Sequence, residues 1–306
     1  MYPQLLGILD DHSRLACHLQ WYLDETAEDL VHGLRQAFLK RGLCRSLLSD
    51  NGAAMIADET KQGLERLGIF HETTLPYSPY QNGKQESFWG QVEGRLLAML
   101  DKYPDLTLPF LNEATQAWVE MEYNRAVHSE TGQTPLARFL ESRDVGRPCP
   151  SIEDLNLAFC KEESRIQRRS DGTISLKGTR FEIPSRFRHF HKVTVRYASW
   201  NLARVHLTDP RMGTVLARIY PLDRALNADG LRKTFPQSPL AAMRHPPLKP
   251  QPTWPRFCAS FLPIIPQQAC RRPICLKQIY IGKRSPAVPV TPPCVRVRTR
   301  RFGGLS

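Results

Sequence analysis

The chain lacks any CxxC pair, any Cys/His cluster at zinc spacing and any apolar run near the ~18 residues of a membrane span. Its eight cysteines fall singly, which argues against a metal-stapled or disulfide-stapled scaffold and predicts reduced thiols. The first residues hold no basic segment followed by an apolar core, so no secretory leader is predicted and the expectation is a soluble, unexported chain. Acidic residues are missing from one whole region. From Pro236 onward there are 12 Lys and Arg and no Asp or Glu, leaving 30 bases against 30 acids in the first 235 residues. The formal charge of +12 therefore resides in the tail, and overall basicity carries no argument about the surface of the folded part.

What is present begins with two apolar runs, Leu5 to Leu9 and Leu15 to Tyr22, joined by turn residues Asp10 to Arg14, which predicts a β-hairpin. Thr26 then precedes Leu30, Leu34, Ala37 and Phe38 at helical spacing, with Gly42 as the stop. Cys44 to Ser49 reads as a short buried strand that presents Asp50 at its end. Glu59 to Leu67 reads as a helix stopped by Gly68, and Ile69 to Thr73 as one more strand. The segment from Thr74 to Gly83, with two prolines and an Asn-Gly pair, predicts an irregular loop. Beyond it Phe88, Val92, Leu96 and Leu100 form an apolar stripe, with Glu86 and Glu93 on another face, and Leu111 to Asn124 is a further helix.

Asp50 on a strand end and Glu86 on a long helix are a hard-oxygen pair suited to Mg²⁺, and phosphodiester transfer uses two such ions ~3.5 to 4 Å apart. An isolated pair of acids is equally an N-cap Asp and a solvated Glu. The strings LLSDNGAAM, LPYSPYQNGKQESFWGQVEGRL and EYNRAVHSETGQTPLARF add specificity. In order and spacing they resemble the retroviral-integrase-like DDE transposases of insertion sequences. The resemblance covers roughly residues 1–145 and implies an RNase H-like α/β core with a mixed sheet and flanking helices. It further implies two Mg²⁺ or Mn²⁺ ions, DNA as partner, a homo-oligomer in the intact family and a cytoplasmic, nucleoid-associated location. Asp50 and Glu86 would be the second and third metal-binding carboxylates, with Tyr77, Ser78, Tyr80, Gln81 and Lys84 contacting DNA near the cut; a solvated loop with aromatic anchors is the alternative for these five.

The chain departs from that pattern at its start. Only one strand stands between Asp10 and the first helix, so Asp10 and Asp11 belong to the hairpin after the second strand, in the family's D-x-x-S-R element. The reading is a core that begins one strand too late, without its first catalytic Asp, with apolar sheet surface left uncovered and with no strand-transfer activity. Asp10 as a surrogate ligand is the alternative to Asp10 as a turn residue. Tyr123, Asn124, Arg125 and His128 match a family element whose expected role is packing.

Residues 146–164 read as a linker. Residues 165–235 show short alternating strands, predicted as a small antiparallel β-barrel similar to that of Mu-type transposases. There Arg180, Arg186, Arg188, Lys192 and Arg196 alternate with aromatics, which suits a DNA-phosphate face as well as an ordinary charged barrel exterior. Residues 236–306, with 14 of the 25 prolines, predict a disordered basic arm or the product of a shifted reading frame. The competing function is a noncatalytic DNA-binding partner or inhibitor of an intact transposase.

Overall fold

A computed structural model describes residues 3–74, 83–101, 103, 106–142 and 146–222, together with the backbone of 279–284. The predicted hairpin forms as β1 (Gln4–Asp10) and β2 (Ala16–Tyr22). Helix α1 (Ala27–Arg41) opens on a capping box, with the Thr26 hydroxyl accepting from the Asp29 amide while the Asp29 carboxylate reaches back to Thr26. It stops at Gly42, which holds φ 81° and donates to Phe38 O at 2.8 Å. Then come β3 (Ser46–Ser49), α2 (Ala53–Ile56), α3 (Asp58–Arg66) and β4 (Phe70–Thr73).

The helix that opens at Gly83 is interrupted. It runs as α4 (Gly83–Gln91), a π-helical stretch Val92–Leu97, and α5 (Ala98–Leu100). Phe88, Val92, Leu96 and Leu100 recur at strict four-residue steps and are all buried. A 3.6-residue turn would rotate them off one face, and the wider π turn brings the stripe back into line. Helix α6 (Leu108–Met121) and α7 (Pro135–Glu141) complete the core.

The sheet has five strands, with β2 and β1 on one side and β3 and β4 on the other of a middle strand that is not supplied locally. It is β11 (Ile279–Arg284), from the tail, antiparallel to β1 and parallel to β3. This corrects two expectations. The sheet surface expected to be left uncovered is continuous, with β11 between β1 and β3, and the tail is not without structure at 279–284; its other residues lie outside the described ones. One apolar core, with Ile8, Leu34, Phe38 and Leu47, packs α1 and α3 on one face, and a second, with Leu9, Trp21, Phe88 and Trp118, packs α4 to α6 on the other. A sheet sandwiched between helices in this way is an RNase H-like α/β core.

The segment 146–164 is folded. Helix α8 (Ile152–Ala158) sends Leu155 into the first core, and Phe159 stacks on Phe38 at 6.4 Å. Gly63 makes room for it, since a Cβ there would lie 2.2 Å from Phe159 Cδ1. The following β5 (Lys161–Ile166) pairs with β8 (Lys192–Ala198). With β9 (Asn201–Thr208) and β10 (Val215–Ile219) they make an antiparallel sheet, β10-β9-β8-β5, set beside the hairpin β6 (Thr173–Leu176) and β7 (Thr179–Glu182). Both sheets share a core around Phe181, Val195, Tyr197 and Val205, and a bridge between Phe181 and Pro221 joins them into a small barrel-like unit.

Candidate functional site

Strand β3 is short because its apolar residues end at Ser49, and Asp50 follows on the turn into α2. Its Oδ1 accepts the Gly52 amide at 3.0 Å, and Asn51 Nδ2 donates to Thr74 O at 2.9 Å, tying the turn to the end of β4. Asn51 and Gly52 thus shape the turn, as expected from their types.

The register fixes which side Asp50 faces. Ser49 lies level with Ile281, and Gly282 pairs with Gly7, so continuing the ladder by one residue sets Asp50 in the row of Gly282 and Gly7. A Cβ on Gly7 would meet Phe88 and Trp89 of α4 at 3.2 Å each, so α4 crosses the sheet at that row. Glu86 is exposed in the first turn of α4, on the same side of the sheet. Among the described residues neither Asp50 nor Glu86 is paired with a base.

Asp10 is elsewhere. It pairs with Ile279, level with Leu47 and three residues from the Asp50 row, roughly 10 Å along the strand. Fully buried, its Oδ2 accepts from the Ser13 amide at 2.9 Å and the Ser13 hydroxyl at 2.5 Å. Burial raises its carboxyl above the ordinary range, against the Ser13 bonds that lower it. This is the turn role, not that of a surrogate ligand. Arg14, at φ 67°, closes the turn and forms a two-pronged pair with Glu130 at 2.8 and 3.3 Å. Tyr123 donates to Arg14 O and Arg138 to His12 O, so the D-x-x-S-R element and the segment after α6 lock one another. The partnership with Glu130 has no local sequence signal.

Lys84, expected on DNA, is paired with Asp11 at 2.6 Å. Tyr77, Ser78, Tyr80 and Gln81 lie outside the described residues. In the barrel, Arg180 faces Asp171 at 3.6 Å, Arg188 faces Glu182 at 3.0 Å, and the largely buried Arg196 faces Glu162 at 2.5 Å. Arg186 lies over Phe187, and Lys192 is exposed at the start of β8. The basic run is thus largely neutralised by its own acids.

Oxygen ligands suit Mg²⁺, but their number falls short of a two-ion site. No group of three or more His, Cys, Asp or Glu able to hold a metal occurs among the described residues, and β11 brings no carboxylate to the row. No helix among them is long and apolar enough to cross a membrane.

The integrase core domain matches residues 2–79. Over 79 residues the chain is 34% identical to the Gag-Pro-Pol polyprotein of human T-cell leukemia virus 3 (strain 2026ND), covering 26% of this chain and 5% of the polyprotein. The chain therefore spans about a twentieth of that relative. Among solved structures, the catalytic core domain of BIV integrase aligns at 24% identity over 45% of this chain and 86% of its own, with a TM-score of 0.38. The simian T-cell lymphotropic virus intasome in complex with PP2A regulatory subunit B56 gamma aligns at 17% identity, covering 71% and 69%, with a TM-score of 0.41. The HTLV-2 integrase catalytic core domain in complex with magnesium, in its trimeric form, aligns at 22% identity, covering 43% and 82%, with a TM-score of 0.35.

Proposed function

We propose that residues 1–145 are a DNA integrase or transposase core of the insertion-sequence kind. Asp50 and Glu86 are its second and third metal-binding carboxylates and DNA is its substrate, while the barrel behind it is of Mu type. As the sheet stands, the core is inactive in strand transfer. One observation supports this reading: continued by one residue past Ser49, the ladder sets Asp50 beside Gly282 and Gly7 in the row that α4 crosses, and the strand next to it carries no carboxylate. Bound magnesium or manganese would supply Lewis-acid chemistry at the phosphodiester. The residues present hold two oxygen ligands for it, which is too few for a pair of ions, so no reaction step is assigned to them. The acid-free central strand equally favours a second reading, a noncatalytic DNA-binding or assembly partner that inhibits an intact transposase.

Nicking of supercoiled plasmid in Mn²⁺ tests the inactivity. The expected result is no product above that of the Asp50→Ala, Glu86→Ala chain, and nicking that disappears in the double variant would overturn it. Gly282→Asp tests the row. It should tighten Mn²⁺ binding, followed by loss of the free-ion resonance signal, on the order of tenfold, and Asp50→Ala should cancel the gain. Equal binding in all three chains would remove Asp50 from the site.

A further inference from the structure

We propose that the outer edge of the core sheet at β4 is a docking site for the end of this same chain, residues 295–300, which add to it as an antiparallel strand. The proposal does not depend on the metal reading of Asp50 and Glu86. Among the described residues β4 has β3 on one side and no strand on the other. Phe70 N donates to Arg45 O and Thr74 N to Ser49 O, both at 2.9 Å, so strand alternation turns the amides and carbonyls of His71 and Thr73 outward. Outward backbone groups of this kind template the pairing of a further strand.

The chemistry of the edge selects the occupant. A groove of about 570 Å³ runs along it, walled on the far side by Ile56 of α2 and by Lys61 and Glu65 of α3. Leu47 is level with His71 and belongs to the first core, so Ile69 and Ile56 lie on that side of the sheet, while Phe70 and Glu72 alternate to the other. Phe70 is 67% exposed and Ile56 46%, so an incoming strand meets apolar surface on both of its faces. It needs small apolar groups towards Ile56, and on its other face groups that suit both a ring and a carboxylate. Residues 295–300 have this pattern. Val295, Val297 and Thr299 alternate with Arg296, Arg298 and Arg300, and a guanidinium both stacks on aromatic rings and pairs with carboxylates. The tail has no acid of its own to compete for these bases.

The path is short enough. Strand β11 runs parallel to β3, as β4 does, and Arg284 lies three residues past Ile281, which is level with Ser49 and so with Thr73. The chain therefore leaves β11 at the end of the sheet where an antiparallel neighbour of β4 begins. Three strand spacings, ~14 Å, separate β11 from that position. Residues 285–294 can reach ~33 Å when extended.

The test is amide hydrogen exchange in the full chain. His71 and Thr73 should be protected to about the level of Glu72, whose amide faces β3, and Val297→Pro should lower the protection of the first two at least about tenfold while Glu72 and the strands of the barrel keep theirs. Glu72→Arg should weaken the same two amides, and combining it with Arg296→Glu, Arg298→Glu and Arg300→Glu should restore them. His71 and Thr73 amides that exchange freely in the parent would show an open edge and overturn the proposal. Protection that survives Val297→Pro, or a charge swap without rescue, would exclude residues 295–300 as the occupant. Protection that rises with protein concentration would give the edge to a second copy and equally overturn docking within one chain.

Discussion

Strand β1 meets its two neighbours by opposite routes. On one side β2 arrives through a five-residue turn, and its own outer edge is then closed by side chains of α6 and the turn after it. Asn112 brackets Trp21 N and O at 2.7 and 3.1 Å, Asn124 brackets Ala16 N and O at 3.0 and 3.2 Å, and Gln116 donates to Leu19 O. These amides do the work of a further strand, satisfying backbone groups that would otherwise template aggregation. On the other side β11 arrives from the far end of the chain, with residues 223–278 between it and the barrel. One flank is a product of local turn chemistry and the other of a long-range closure, and the sheet needs both to be continuous.

The far flank is where a single substitution does the most damage. A strand flanked on both sides commits each amide to one neighbour or the other, so Ile281→Pro must orphan a partner whichever way its N–H points. The expected cost is on the order of 4 kcal/mol, with the proline clash added to the lost bond. Hydrogen exchange should show amides of Leu5–Asp10 and Leu47–Ser49 losing protection together, while those of β8 and β9 keep theirs. An unchanged exchange pattern would mean that the slot is not closed by this strand.

The same contrast accounts for what the sequence disclosed. The hairpin, the Thr26 cap, the Gly42 stop and the i,i+4 stripe are written in neighbouring residues, and the structure returns each of them. So is the position of Asp50, because the SDNG turn ends a short apolar run. The run Ile279-Tyr280-Ile281 has the β-branched and aromatic character of a strand, but 14 prolines and the lack of acids in the surrounding tail outweigh it. Helix α8 was hidden for a different reason: its burial rests on Leu155 and Phe159 finding Phe38 and the bare Gly63, a fit no local pattern records. The basic run that is visible in one dimension turns out to meet its own acids, Asp171, Glu182 and Glu162, which no local pattern records.

The near flank gives an intermediate effect. Asn124 is fully buried, and Asn124→Ala leaves the Ala16 N–H and C=O without partners in a dry site, a loss of about 2–3 kcal/mol in denaturant unfolding. Asn112→Ala makes the same change at a half-buried position where water can enter, so about half that loss is expected. Equal costs at the two positions would mean that the amides matter for packing and not as stand-ins for a strand.

The smallest effect sits in the turn that joins the two strands, and it is a dependence on pH. Burial holds the Asp10 carboxyl above its value of 3.8 in the unfolded chain, so between 3.8 and the raised value the folded state binds more protons than the unfolded one. Stability linked to this group is therefore greatest on the acid side and falls as pH rises through that window, the reverse of an ion-paired carboxylate. In Asp10→Asn the group no longer titrates, so the difference in unfolding free energy between parent and variant should shift in the variant's favour as pH is raised through the window and level off above it. Ser13 can still donate to the amide oxygen of the variant, so the turn persists and the comparison isolates the charge. A difference that stays flat with pH would show that the buried carboxylate is stabilised as fully by Ser13 as by water, and that β1 ends on a turn indifferent to its protonation.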